Sequence, residues 1–229
     1  MPERKREYTE NAVRRGKYGG DTEGAMLTVG LTGSTGSGKG YVSDIFIKSG
    51  IPCLDTDKVC RDVYMKGQPC YNDLVAAFGA GILRDDGEID RKALFDLAFP
   101  DDAKYRVLNS IAFLHIKKAT EKWLDERRAE GAKIAVIDAP MLYESGFDKI
   151  CEKVISVIAD RPTQIARVMQ RDGISEETAR IRLAKQKPDS YYRSRCDYVL
   201  DNSASNAGSI WNDTRRLIGV LRRMPAARC

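Results

Sequence analysis

The 229 residues carry 38 Lys and Arg against 33 Asp and Glu, a formal charge of +5, and 42% of them are apolar. That apolar share can fill a real core, and the length exceeds one average domain but falls short of two, which points to one domain with an insertion. The even charge balance excludes a dedicated nucleic-acid binder and suits a smaller polyanion such as a nucleotide, while six cysteines with no Cys-x-x-Cys pair and a single His115 exclude a Cys/His zinc set.

Residues 1–25, MPERKREYTENAVRRGKYGGDTEGA, are polar and nearly empty of large apolar side chains. They read as a disordered extension, with Met26 as a candidate start of the folded part. No apolar stretch lies between the N-terminal charges, so no secretory signal is expected. The longest apolar runs, such as Ile134 to Ile137, are too short to cross a bilayer. With cysteines expected to be reduced thiols, the reading is a cytoplasmic protein with no membrane partner, a monomer or weak homo-oligomer.

From Leu27 short apolar runs alternate with longer amphipathic stretches. Leu27 to Thr32 reads as a buried strand, followed by a glycine-rich turn and a helix to about Ser49. Ile51 to Leu54 reads as a second strand ending in the acidic turn Asp55-Thr56-Asp57. About eighty residues of helical periodicity follow, an inserted helical subdomain over about 58–130. Within it Lys104 to Glu130 presents Val107, Leu108, Ile111, Leu114, Trp123 and Leu124 as an apolar face. Ile134 to Asp138, Lys153 to Ala159 and Tyr198 to Leu200 read as three more strands. Arg161 to Gln186 is helical and arginine-rich, part of a segment over about 161–190, and Ser205 to Arg223 is a last helix with Ile210, Trp211, Leu217 and Leu221 inward. Strands separated by helices imply parallel crossovers and an α/β fold with its sheet covered on both faces.

The strongest chemical signal is Gly33-Ser34-Thr35-Gly36-Ser37-Gly38-Lys39-Gly40, which fits G-x-x-x-x-G-K between a strand and a helix. Glycines let successive N–H groups turn toward phosphate oxygens, the helix adds its positive end, and Lys39 supplies an ammonium. This P-loop reading implies ATP, with Tyr41 alongside. The Ser or Thr that usually follows the lysine and binds Mg²⁺ is Gly40 here. Asp138, at the end of its strand, is a carboxylate that would hold the metal through water; the competing reading is a strand-end cap.

Parallel strands gather ligands at their C-terminal ends, so the loop and the turn after Leu54 are expected to face one cleft. Asp57 is read as the general base for a hydroxyl attacking the γ-phosphorus, with Asp55 a supporting acid. The alternative is that Asp57 caps a helix starting at Lys58. Arg167 and Arg171 lie four apart on one helical face and either converge on phosphate in a closing lid or make ordinary surface pairs with acids such as Asp172 and Glu176.

Over Leu27 to Asn202 the chain resembles the dephospho-coenzyme A kinases. LTGSTGSGKG resembles their nucleotide loop, GIPCLDTDKVCRDV their G-x-x-V-I-D-A-D segment, and FGAGILRDDGEIDRKALFDLAF a block that other P-loop kinases lack. DAPMLYESG, RVMQRDGISEETARIRLAKQ and CDYVLDN are similar to their P-L-L-x-E turn, lid and closing strand. The resemblance implies a three-layer P-loop kinase with a five-stranded parallel sheet, a helical acceptor-binding insertion and a helical lid. It implies transfer of the ATP γ-phosphate to the ribose 3′-hydroxyl of dephospho-coenzyme A, with Mg²⁺. By the same resemblance Asp57 is the base, Thr32 and Lys39 lie on the phosphate side with Thr32 toward the acceptor, and Arg167 and Arg171 are lid arginines. Arg91 and Gln186 lie on the acceptor side, and Asn202 lies near the adenine. The family's Leu-Asn-x-Ile-x-His-Pro stands here as Leu108-Asn109-Ser110-Ile111-Ala112-Phe113-Leu114, and His115 is expected to have a surface or packing role. The alternatives are another small-molecule kinase, which the FG…DG…DR block disfavours, and a non-catalytic nucleotide or coenzyme A binder.

Overall fold

The computed structural model describes residues 26–203 and 208–224. The extension 1–25, the first residues of the expected last helix and Cys229 lie outside the described residues. The chain divides into two compact units, one reaching Cys53 and resuming at Arg127, the other Leu54–Glu126.

The first unit is built on β1 (Leu27–Gly33), whose seven residues are all buried. Burial on both faces is what a central parallel strand requires, and it explains the near-continuous apolar run. The sheet order is β2 (Cys53–Asp55), β3 (Ile134–Asp138), β1, β4 (Lys153–Ile158), β5 (Tyr198–Asp201). β1 pairs in parallel with β3 from Leu27 opposite Ile134 to Leu31 opposite Asp138. On its other side β1 pairs with β4, ending at Gly33 opposite Val157. Because its neighbours come from later in the chain on both sides, the end of β1 is a topological switch point, the place where open α/β sheets take ligands.

Alternation along β1 sorts its two faces. Leu27, Val29 and Leu31 join Val42, Ile45 and Phe46 of α1 (Lys39–Lys48) in one core cluster. Facing the other way, Gly30 has Leu142 and Cys151 so close that a Cβ would lie 2.9 Å from a Leu142 methyl. The connection after β3 therefore covers that side. Full burial of side chains like Leu31 or Phe46 stabilises by about 1.5–3 kcal/mol each.

In the second unit α2 (Thr56–Val63), α3 (Pro69–Phe78), α4 (Arg91–Ala98) and most of α5 (Asp102–Ala129) surround a core of Cys70, Leu74, Ile82, Ile89, Leu94, Ala98 and Leu108. The buried face of α5 is Leu108, Ala112, Ile116, Thr120 and Leu124, a strict spacing of four. Of the expected face, Leu108 and Leu124 are buried, but Val107 and Leu114 are exposed. Both lie off that row, and the inward positions belong instead to small or polar residues such as Ala112 and Thr120.

Three further expectations shift. The second strand begins at Cys53 rather than Ile51 and takes in Asp55, whose side chain caps the helix that starts at Thr56. The arginine-rich stretch is two helices, α6 (Arg161–Asp172) and α7 (Glu176–Ala184), because Gly173 closes the first in a left-handed conformation and Ser175 caps the second. A short α8 (Asp189–Arg193) follows. The last helix is α9 (Ser209–Leu221), where Ile210, Leu217 and Leu221 are buried as expected. Trp211 only borders the core, and Thr214 and Ile218 take inward positions. Among the described residues no helix is long and apolar enough to cross a membrane.

Candidate active site

The loop between β1 and α1 forms the centre of the first unit's site. Gly38 is the N-cap of α1, with φ +89°, and among the described residues no side chain caps the helix. The first turn also lacks an acidic residue. Leading N–H groups of such a helix are available to an external anion, and the helix dipole favours one. Ser37 N donates to Ser34 O at 3.1 Å, closing the loop on itself. Ser37 Oγ is buried, with no hydrogen-bond partner among the described residues. The uncapped helix, the ammonium at its first residue and an orphaned hydroxyl inside the loop together fit a chain of phosphates.

Parallel register carries Asp138 toward this loop, since it ends β3 opposite Leu31, two residues before the end of β1. Its buried carboxylate forms an ion pair with Lys39 Nζ. A buried pair like this holds both charges only while both partners are present. Thr32 is buried and its hydroxyl donates to Pro140 O at 3.3 Å, fixing the turn that follows Asp138. Gly40 is exposed, with open space where a Cβ would stand, and Tyr41 on the same turn is exposed.

The second layer of the loop comes from far along the chain. Arg167 donates to Gly36 O, Ser37 O and Asn202 O at 3.3, 3.2 and 2.9 Å. Asn202 is buried, and its amide donates to Ser37 O at 2.8 Å, directly behind Gly38. Gln186 accepts from Thr35 N at 3.5 Å. Arg167, Asn202 and Gln186 thus all meet the loop's backbone. Arg171 goes elsewhere: it holds Asp172 with two hydrogen bonds of 2.7 and 3.0 Å, and Arg182 reaches the same carboxylate at 2.9 Å. The hydrogen bond from Arg171 keeps the Asp172 carboxyl below the usual carboxylate range. Arg167 and Arg171 share a helix, but their guanidinium groups have different partners.

Gln164 was not expected in this group. It is buried and its amide donates to Ser34 Oγ at 2.8 Å. Its backbone lies so close to Gly36 that a Cβ there would come within 2.7 Å of the Gln164 carbonyl. The signal in the sequence was its place three residues before Arg167, on the same helical face.

In the second unit Asp55 accepts hydrogen bonds from Asp57 N and Lys58 N at 2.9 and 3.3 Å. The capping role considered for Asp57 therefore belongs to Asp55, and Asp57 is left exposed in the first turn of α2. One turn on, burial raises the pKa of the Cys60 thiol; Arg91 opposes that shift and Asp57 adds to it. Asp57 and Arg91, the latter at the start of α4, are thus electrostatic neighbours of one thiol. His115 Nε2 lies 2.6 Å from Asp73 Oδ2, a packing tie between α5 and α3.

Known proteins resemble this chain in sequence and in fold. The family model for dephospho-CoA kinase matches residues 27–208. The chain is 37% identical over 197 residues to the dephospho-CoA kinase of Halalkalibacterium halodurans, covering 86% of this chain and 96% of that one. It is 42% identical over 180 residues to the dephospho-CoA kinase of Arabidopsis thaliana, covering 79% and 78%. Among solved structures, a Thermus thermophilus protein superposes with a TM-score of 0.73 at 26% identity, covering 87% of this chain and 98% of that one. The dephospho-CoA kinase of Campylobacter jejuni shares the fold, with a TM-score of 0.64 at 21% identity over 86% and 97% of the two chains. With the family model spanning the strands, the loop and the arginine helices, this chain belongs to the dephospho-CoA kinase family.

Proposed function

We propose that the protein transfers the γ-phosphoryl group of ATP to the ribose 3′-hydroxyl of dephospho-CoA, giving CoA and ADP. The observation that carries this reading is the loop Gly33 to Gly40 running into an uncapped α1 with Lys39 at its first position, in a chain of this family. The loop amides and Lys39 take the phosphates of ATP, with Ser34, Thr35, Gly36, Ser37 and Gly38 as its wall. Lys39 is held by Asp138 and turns part of its charge to the β- and γ-phosphates when they bind.

Asp57 is the base in this reading. Its support is the Asp55 cap, which spares the Asp57 carboxylate for another partner. It accepts the proton of the 3′-hydroxyl as that oxygen attacks the γ-phosphorus; the bond from phosphorus to the β–γ bridging oxygen breaks and its electron pair leaves on ADP. Arg91 binds the acceptor, and the helical unit Leu54–Glu126 is the acceptor-binding insertion. Residues 161–190 form the lid. Within it Arg167 acts on the reaction through the loop whose carbonyls it holds, and Arg171 reaches phosphate by leaving Asp172.

The residues near the proposed phosphate site would suit Mg²⁺: Asp138 would hold it through water, and Gly40 supplies no hydroxyl ligand. The ion, when bound, neutralises charge on the β- and γ-phosphates. Coupled measurement of ADP release tests the whole reading. Turnover with ATP, Mg²⁺ and dephospho-CoA is expected, and none with plain nucleosides. Turnover with nucleosides alone would instead identify a nucleoside kinase.

A further inference from the structure

The hydrogen-bond directions around Gln164 contain more than loop packing. Arg161 Nη1 donates both to Gln164 Oε1 at 3.3 Å and to Leu183 O of α7 at 3.1 Å. A guanidinium only donates, so the amide oxygen of Gln164 must face Arg161 and its NH₂ must face Ser34. Ser34 Oγ therefore accepts, at 2.8 Å. A hydroxyl that accepts from one neighbour keeps its own proton for another, and among the described residues this is the one hydrogen bond of Ser34 Oγ. Ser34 itself is buried in the phosphate loop.

We infer that Gln164, clamped by Arg161, is a positioning residue for nucleotide: it sets the polarity of the Ser34 hydroxyl so that its proton donates to a phosphate oxygen. This rests on the reading that the glycine loop takes the phosphates of ATP. Arg161 also ties the relay to the end of α7, so the hydroxyl is set by the same contact that holds the arginine-rich helices together. Serine alone would rotate freely; the buried amide removes the choice.

Gln164→Glu separates this role from a structural one. The carboxylate keeps the shape, gains an ion pair with Arg161, and can only accept, so it takes the Ser34 proton for itself. The melting temperature is expected to hold while the KM for ATP and the calorimetric Kd for ADP each rise by roughly ten-fold or more, with kcat changed far less. Ser34→Ala should weaken ADP binding by a comparable factor. In the Ser34→Ala background Gln164→Glu should add little. Equal cost of Gln164→Glu with and without the Ser34 hydroxyl would show that its charge, rather than the hydroxyl, is felt, and would overturn the proposal. Unchanged ADP binding in Gln164→Glu would do the same while leaving the function standing. Failure of the unaltered protein to bind ADP would remove both.

Discussion

At the scale of the residue the proposed chemistry rests on one carboxylate oxygen of Asp57 and on one hydroxyl oxygen that Gly40 lacks. The carboxylate of Asp57 is exposed and free of capping duty, because Asp55 supplies the cap to α2. Asp57→Asn keeps the size and the backbone N–H that Asp55 accepts, so helix and fold should survive. Losing the base should lower kcat by about 10²- to 10⁴-fold, with the KM for ATP nearly unchanged. Steady-state kinetics with both substrates checks it, and a kcat equal to that of the unaltered protein would remove Asp57 from the mechanism. The other atom is one this chain lacks. Gly40 follows the loop lysine, and nothing stands within 4 Å of where its Cβ would be. Gly40→Ser therefore enters without a clash, improves helix propensity by roughly half a kcal/mol, and restores a hydroxyl beside the phosphates. The concentration of Mg²⁺ giving half-maximal rate should fall several-fold, read from a metal titration at saturating ATP. A titration that does not move would mean that the metal is held away from this position.

A cap makes the same point at the scale of the element, where one side chain orients a whole helix. Asp55 receives the N–H groups of Asp57 and Lys58, the second and third residues of α2, so Asp55→Ala should destabilise by about 1 kcal/mol and loosen the turn that carries Asp57. Asp55→Asn, which can still accept, should restore most of the melting temperature and of kcat. If Asp55→Ala lost stability while kcat stayed whole, the cap would serve the fold alone. This helix also marks the border of what the sequence discloses. The glycine loop with its lysine, and the two acids around Thr56, are contiguous, and their local chemistry announces them. Only Asp57 stood out as a cap, because a helix expected from Lys58 hides that α2 starts at Thr56 and that strand β2 ends one residue later than the apolar run suggested. Helix α6 was visible from its periodicity, but its break at Gly173 was not, since Gly173 and Ser175 gain meaning only once one helix is seen to close and the next to be capped. Least legible were contacts such as Gln164 to Ser34, 130 residues apart. Nothing local marks a buried glutamine as a partner of a serine on another element. Burial and direction of donation come from the tertiary structure.

For the whole molecule the decisive feature is that each of the two compact units has a core of its own. Leu27, Val29, Leu31, Val42, Ile45 and Phe46 pack under the phosphate loop, whereas Leu74, Ile82, Leu94 and their neighbours pack inside the unit that carries Asp57 and Arg91. A cavity in one core should then cost the function it supports and spare the other. Leu74 is fully buried in α3, so Leu74→Ala should destabilise its unit by about 2–5 kcal/mol. Amide hydrogen exchange should quicken across α3, α4 and the part of α5 that carries Leu108, while amides of β1, β3 and α1 keep their protection. Calorimetry should return an ADP affinity close to that of the unaltered protein, and kinetics a raised KM for dephospho-CoA, because the residues proposed to seat the acceptor lie in the weakened unit. Loss of protection spreading equally through β1 and α1, with ADP affinity falling in step, would show one cooperative core in place of two. The kinase would then tie acceptor and nucleotide binding to a single folding event, and a mutation in either unit would read out in both constants.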